Sequence, residues 1–92
     1  MIKVQLSGRF HQIYKGFTKH PELRALVFHK IDLFKRNPDD SRLRNHKLTG
    51  RMEGKWSFSI DGDIRIVYEW IGKSTVRFLA IGAHKEVYSK PD

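Results

Sequence analysis

The chain contains no cysteine, which excludes a disulfide framework and any thiolate metal site and suits a reducing compartment. Long apolar runs are missing as well. No stretch approaches the roughly 18 residues of a membrane-spanning helix, and the opening Met1-Ile2-Lys3-Val4 does not begin an apolar export signal. Internal repeats, low-complexity tracts and linker-like segments are absent, so residues 1–92 read as a single domain. Acidic residues are the minority: 10 Asp and Glu stand against 18 Lys and Arg, for a formal net charge of +8. On so small a domain that excess predicts a polyanionic partner, either nucleic acid or an acidic protein, with simple solubility as the bland alternative. The expectation is a soluble, cytoplasmic protein with no membrane contact.

What is present argues for a folded domain with a modest core. Hydrophobic residues make up 39%, including six Phe, three Tyr and two Trp. Ile2-Lys3-Val4-Gln5-Leu6 alternates as a strand does. Phe10, Ile13, Tyr14 and Phe17 then fall at i, i+3, i+4, i+7, the stripe of an amphipathic helix with Ser7 as its cap. Pro21 suits the first turn of a second helix, whose stripe runs through Leu23, Leu26, Val27, Ile31 and Phe34 until Asn37-Pro38 stops it.

Beyond Ser41 the period changes to two. Trp56, Phe58 and Ile60 form one stripe, and Ile64, Ile66, Tyr68 and Trp70 form the next. Asp61-Gly62 between them is a hairpin signal; its chemistry suggests a two-residue loop, whereas matching the apolar stripes suggests three. Residues 76–81 read as a further strand, with a short one near Lys47-Leu48. The predicted class is α+β in the order β-α-α-β-β-β: an N-terminal strand, a helical hairpin, then a three- to four-stranded antiparallel sheet against the helices. If Ile64, Ile66 and Tyr68 lie under the helices, Arg65 projects from the opposite face.

Five residues stand out for chemistry: His46, Asp63, Arg65, His84 and Tyr88. A base, a fixed cation, a second titratable ring and an aromatic hydroxyl are what RNA cleavage needs without metal or cofactor. The ribose 2′-hydroxyl supplies the nucleophile, so no activated Ser or Cys is required. Each has a structural alternative. His46 can be an ordinary loop histidine, Arg65 can pair with Asp63 or Glu69 on a solvated face, and Tyr88 can anchor the tail. Lys47, Arg51 and Lys55 are candidates for steering RNA, or plain surface charge. His11, His20 and His29 are spaced nine apart, about half a turn out of phase on a helix, so they share no ligand face and predict no metal site. Trp56 and Trp70 sit on apolar stripes, which favours core packing over base stacking.

Three segments together resemble the RelE/ParE superfamily of bacterial toxins: His46-Lys47-Leu48-Thr49-Gly50, Gly54-Lys55-Trp56-Ser57 through Asp63-Ile64-Arg65-Ile66-Val67-Tyr68, and Phe78 to Tyr88. The resemblance covers essentially the whole chain. It implies a RelE-like domain, a ribosome-dependent mRNA endonuclease acting in the ribosomal A site, and an acidic antitoxin that holds the monomeric toxin in a hetero-oligomer. It also implies roles: His46 as general base, Arg65 stabilising phosphorane charge, His84 as general acid, Tyr88 orienting or stacking on substrate, and Asp63 matching an active-site Asp of some members. Relatives with an Arg four residues before the second His differ here, where Ala80 stands. The ParE branch, which acts on DNA gyrase and lacks an acid/base set, is the alternative, as is a non-catalytic basic RNA-binding module.

Overall fold

A computed structural model describes residues 1–17, 19–83 and 87, with Phe17 by its backbone alone. Strand β1 (Lys3–Leu6) leads into helices α1 (Gly8–Phe17) and α2 (Pro21–Arg36), followed by strands β2 (His46–Lys47), β3 (Trp56–Ser59), β4 (Ile64–Trp70) and β5 (Thr75–Ala83). Short 3-10 turns occupy Ser41–Leu43 and Gly50–Met52. The helix signals act where they occur in the chain. Ser7 Oγ accepts from the Phe10 N–H at 3.0 Å, and Pro21 sits in the first turn of α2, where a missing N–H costs no hydrogen bond.

The five strands form one sheet in the order β1-β5-β4-β3-β2. β2 through β5 are antiparallel neighbours, while β1 runs parallel to β5, with Val4 opposite Val76. The crossover through both helices makes that parallel pairing possible. Between Val67 and Tyr68 the β4–β5 register shifts, as Val67 pairs with Ala80 and Tyr68 with Phe78. Leu79 is therefore an extra residue, a bulge in β5.

The core lies between helices and sheet. Phe10, Val27, Phe34, Phe58, Ile66, Tyr68 and Phe78 are all at most 1% exposed. Phe34 is its hub, stacking on Phe58 at 4.5 Å between ring centroids and meeting Tyr68 edge-on at 4.9 Å. Trp56 and Trp70 pack partly buried against this cluster. A second, smaller cluster of Val67, Ala80 and Val87 covers the opposite face, joined by Leu48, Met52 and Leu79.

The β3–β4 hairpin has a three-residue loop. Ser59 pairs with Arg65, and the Ile60 N–H donates to the Ile64 carbonyl at 2.7 Å. Asp61 builds it: one carboxylate oxygen accepts from the N–H groups of Asp63 and Ile64, each at 2.9 Å. Gly62 does not take a left-handed backbone; among the described glycines, Gly50 (φ 64) and Gly54 (φ 91) do. The two-residue Asp-Gly turn is thus overridden by the need to keep both apolar stripes on one face. Among the described residues, no helix is long and apolar enough to cross a membrane.

Candidate active site on the sheet face away from the helices

Alternation along paired strands decides which side chains share a face. His46 lies opposite Ser57, Ser57 opposite Val67, and Val67 opposite Ala80; one residue pair further along, Ser59 lies opposite Arg65 and Arg65 opposite Gly82. All of these point away from the helices, because the intervening Phe58 and Ile66 are buried in the main core. His46 and Arg65 therefore share one face, two strands and two residues apart, or roughly 12 Å between Cα atoms from strand spacing and rise. Buried Ser57 and Val67 lie between them on that face.

His46 is exposed and oriented by backbone. Its Nδ1 lies 2.9 Å from the Arg44 carbonyl oxygen. A carbonyl can only accept, so Nδ1 carries the proton and the neutral ring keeps its lone pair on Nε2. Arg44 presents that carbonyl from a left-handed backbone (φ 51, ψ 43), a conformation costing a non-glycine residue about 1 kcal/mol or more. The neighbouring Asn45 is tied twice, accepting from the Tyr68 hydroxyl at 2.7 Å and donating to the Pro38 carbonyl at 3.1 Å. Burial raises the Tyr68 hydroxyl to a pKa of about 12, so it remains a donor throughout the physiological range. A core tyrosine thus anchors the residue before His46.

Arg65 is half-buried, and its Nη1 donates to Ser59 Oγ at 2.6 Å. Its Nε is buried and has no hydrogen-bond partner among the described residues. The bland alternative of a surface ion pair is not what forms: Glu69 holds Arg77 at 3.2 Å, and Arg65 is in none of the ion pairs among the described residues. A buried N–H with no acceptor costs about 1–3 kcal/mol, and a neutral serine does not compensate the guanidinium charge. An anionic ligand would meet both needs.

The remaining predicted residues separate. Asp63 is exposed at the hairpin loop, two residues before Arg65, and the two form no ion pair among the described residues. Lys47 faces the other way from His46, with Nζ 5.7 Å from the centre of the Trp56 ring, and it shares an open groove of about 420 Å³ with Lys55 and Glu53. Arg51 is exposed in the second 3-10 turn. His84 and Tyr88 lie outside the described residues. Val87, between them in sequence, packs on Val67 and Ala80 on the same face as His46 and Arg65. Sequence reasoning missed Ser59, Arg44 and Asn45. Ser59 read as an ordinary outward position of a strand, and nothing local announces the left-handed turn at Arg44. No metal-ligand cluster of His, Asp or Glu occurs among the described residues.

Comparison with known proteins agrees with this fold. The profile of a family described as "Bacterial toxin of type II toxin-antitoxin system, YafQ" matches residues 2–89. No curated protein sequence gives a significant match. Among solved structures, YafQ from E. coli superposes with a TM-score of 0.80 at 18% identity, covering 97% of this chain and 100% of that one. A YoeB/ParE toxin from Agrobacterium tumefaciens gives 0.76 at 21% identity, covering 90% and 99%. An E. coli DinJ-YafQ complex gives 0.69 at 15% identity, covering 97% and 100%. At these identities the superpositions establish a shared fold, and the family profile spans nearly all of the sequence. The chain belongs to the YafQ family of toxins of bacterial type II toxin–antitoxin systems.

Proposed function

We propose that the protein is a cytoplasmic, ribosome-dependent mRNA endonuclease that cuts by metal-free attack of the RNA 2′-hydroxyl. One observation carries the reading: an oriented imidazole and a guanidinium without a counter-charge among the described residues share the sheet face that points away from the helices. In the proposed reaction His46 Nε2 takes the proton from the 2′-hydroxyl as that oxygen bonds to phosphorus. Arg65 balances the charge gathering on the equatorial oxygens. The bond from phosphorus to the 5′-oxygen breaks, and His84 gives that oxygen a proton, leaving a 2′,3′-cyclic phosphate and a 5′-hydroxyl end. Tyr88 orients or stacks on a base, and Asp63 lies close enough in sequence to Arg65 to influence it. Lys47, Arg51 and Lys55 contribute to holding the polyanion. The net charge of +8 supports such a substrate.

The likeness to the DinJ-YafQ complex supports a second part of the reading. A small acidic antitoxin binds this toxin and silences it, giving a hetero-oligomer around a toxin monomer. The decisive experiment maps mRNA ends after adding the purified protein to translating ribosomes. Wild type should cut in the A site, and His46→Ala, Arg65→Ala and His84→Ala should each lose on the order of 10² or more in rate while remaining folded. Intact mRNA together with inhibited gyrase supercoiling would replace this reading by the gyrase alternative. Salt-sensitive RNA binding without turnover would leave a binding module.

A further inference from the structure

The β2–β3 ladder ends early, and a basic pocket opens where it stops. Continuing the register of His46 with Ser57 would pair Arg44 with Ser59. The chain instead turns through a left-handed backbone at Arg44, and the pairing with β3 covers only His46 and Lys47. The space left behind is a pocket of about 220 Å³ bounded by Lys30 of α2, Arg42 and Arg44 before β2, and Ser59, Asp61 and Gly62 of the β3–β4 hairpin. Two of its walls also belong to the candidate site. Ser59 Oγ receives Arg65, and the Arg44 carbonyl receives His46.

The charges in this pocket are unequal. Arg42 is spent on Asp40, to which its Nε and Nη2 donate at 2.9 Å each, and these hydrogen bonds hold the Asp40 carboxyl down at about 2. Asp61 also lines the pocket, with one carboxyl oxygen already taken by two backbone N–H groups. Lys30 and Arg44 have no carboxylate partner among the ion pairs of the described residues. They are the pocket's cations without an ion pair among the described residues, set on two different elements, with Asp40 acting on Lys30 only at longer range.

We infer that this pocket is a second phosphate subsite, in which Lys30 and Arg44 grip a backbone phosphate next to the one proposed to be cleaved between His46 and Arg65. The identity of the polymer rests on the RNA reading above; the anion chemistry of the pocket does not. Two grips on successive phosphates fix the direction of the strand, which a single guanidinium cannot do. The arrangement also explains why an arginine occupies a left-handed position. Its backbone orients the histidine while its side chain lines the adjoining pocket.

The test measures binding of a short 2′-deoxy oligonucleotide, which lacks the nucleophile and cannot be cut, to the full chain across a salt series. The pocket variant is Lys30→Gln with Arg44→Asn, chosen because glutamine keeps the helix and asparagine tolerates the left-handed backbone. A control of equal charge loss, Lys3→Gln with Lys73→Gln, lies on exposed positions of β1 and the β4–β5 turn. Loss of one single-strand phosphate contact should reduce the slope of log K against log salt by about 0.7. Affinity should fall about tenfold, as expected for losing one charge-assisted contact, and the control should change less than half as much. In wild type, the amide signals of Asp61 and Gly62 should shift on titration with the same oligonucleotide. Equal weakening by pocket and control variants, or unmoved Asp61 and Gly62 signals, would overturn the subsite. Absence of mRNA cleavage by wild type would instead remove the endonuclease reading and leave a phosphate pocket that passes the binding test standing.

Discussion

Arg65 illustrates how a single residue can be costly for stability and suited to the proposed chemistry. Its guanidinium is half-buried, bonded to a neutral hydroxyl, and has a buried Nε with no partner among the described residues. Replacing it by a hydrophobic side chain of similar length removes that desolvation cost. Arg65→Met should therefore raise the unfolding free energy by about 1 kcal/mol, read by urea titration, while mRNA cleavage disappears. A variant less stable than wild type would mean that Arg65 is satisfied where it sits. Arg65→Lys keeps the charge but loses the planar fork and the bond geometry to Ser59, and should still cost at least about tenfold in cleavage rate. Arg44 provides the complementary case. Arg44→Gly should relieve the left-handed backbone by roughly 1 kcal/mol, whereas Arg44→Val, branched at Cβ, should destabilise by a similar amount and displace the carbonyl that sets the His46 tautomer.

Among the elements, the short strand β2 depends most on its neighbours. It contributes two residues, both exposed, so its own ladder to β3 cannot fix His46 firmly. The residue before His46 is held by a tie from Tyr68 through Asn45 to Pro38. Tyr68→Phe leaves the Asn45 oxygen partly buried and unpaired, a loss of about 1–3 kcal/mol. Cleavage should fall together with stability, since His46 follows Asn45 directly. If unfolding shifts but cleavage is unaffected, the tie does not position the histidine. The hairpin loop was legible only in part. Asp61-Gly62 marked the turn, but local chemistry and the apolar stripes disagreed about its length, and the stripes prevailed because a one-residue slip would turn Ile64 and Ile66 out of the core. The parallel place of β1 was not legible at all, since a strand's partner is a long-range property.

The whole molecule carries the same lesson in its titration and its core. Tyr68 has a raised pKa, about 12 against an ordinary 10.0. Above pH 10 the unfolded chain releases this proton and the folded one does not, so stability present below pH 10 is lost as the pH rises towards 12. Urea midpoints measured across that window should decline, and Tyr68→Phe should flatten this part of the decline. Phe34 sits at the hub of the aromatic cluster, where it contacts Phe58, Tyr68 and Phe78. Phe34→Ala should cost about 3–5 kcal/mol, enough to unfold a marginal domain of this size. A loss below about 1 kcal/mol in the same titration would show that helix α2 is not held through this contact.

Periodicity, turn residues and charge were enough to predict the class, the two helices, the antiparallel hairpins and the side of the sheet on which Arg65 emerges. These are local or alternating properties, written every two or four residues. The same residues suggested His46 and Arg65 as partners without saying that they meet. Only the folded sheet placed them on one side, by pairing β2 with β3 and β3 with β4 so that positions 19 residues apart share a face. It also supplied what no local pattern encodes: the serine beneath the guanidinium, the left-handed arginine behind the imidazole, and the pocket between them. Those depend on which strand lies beside which, and burial settles that for the chain as a whole.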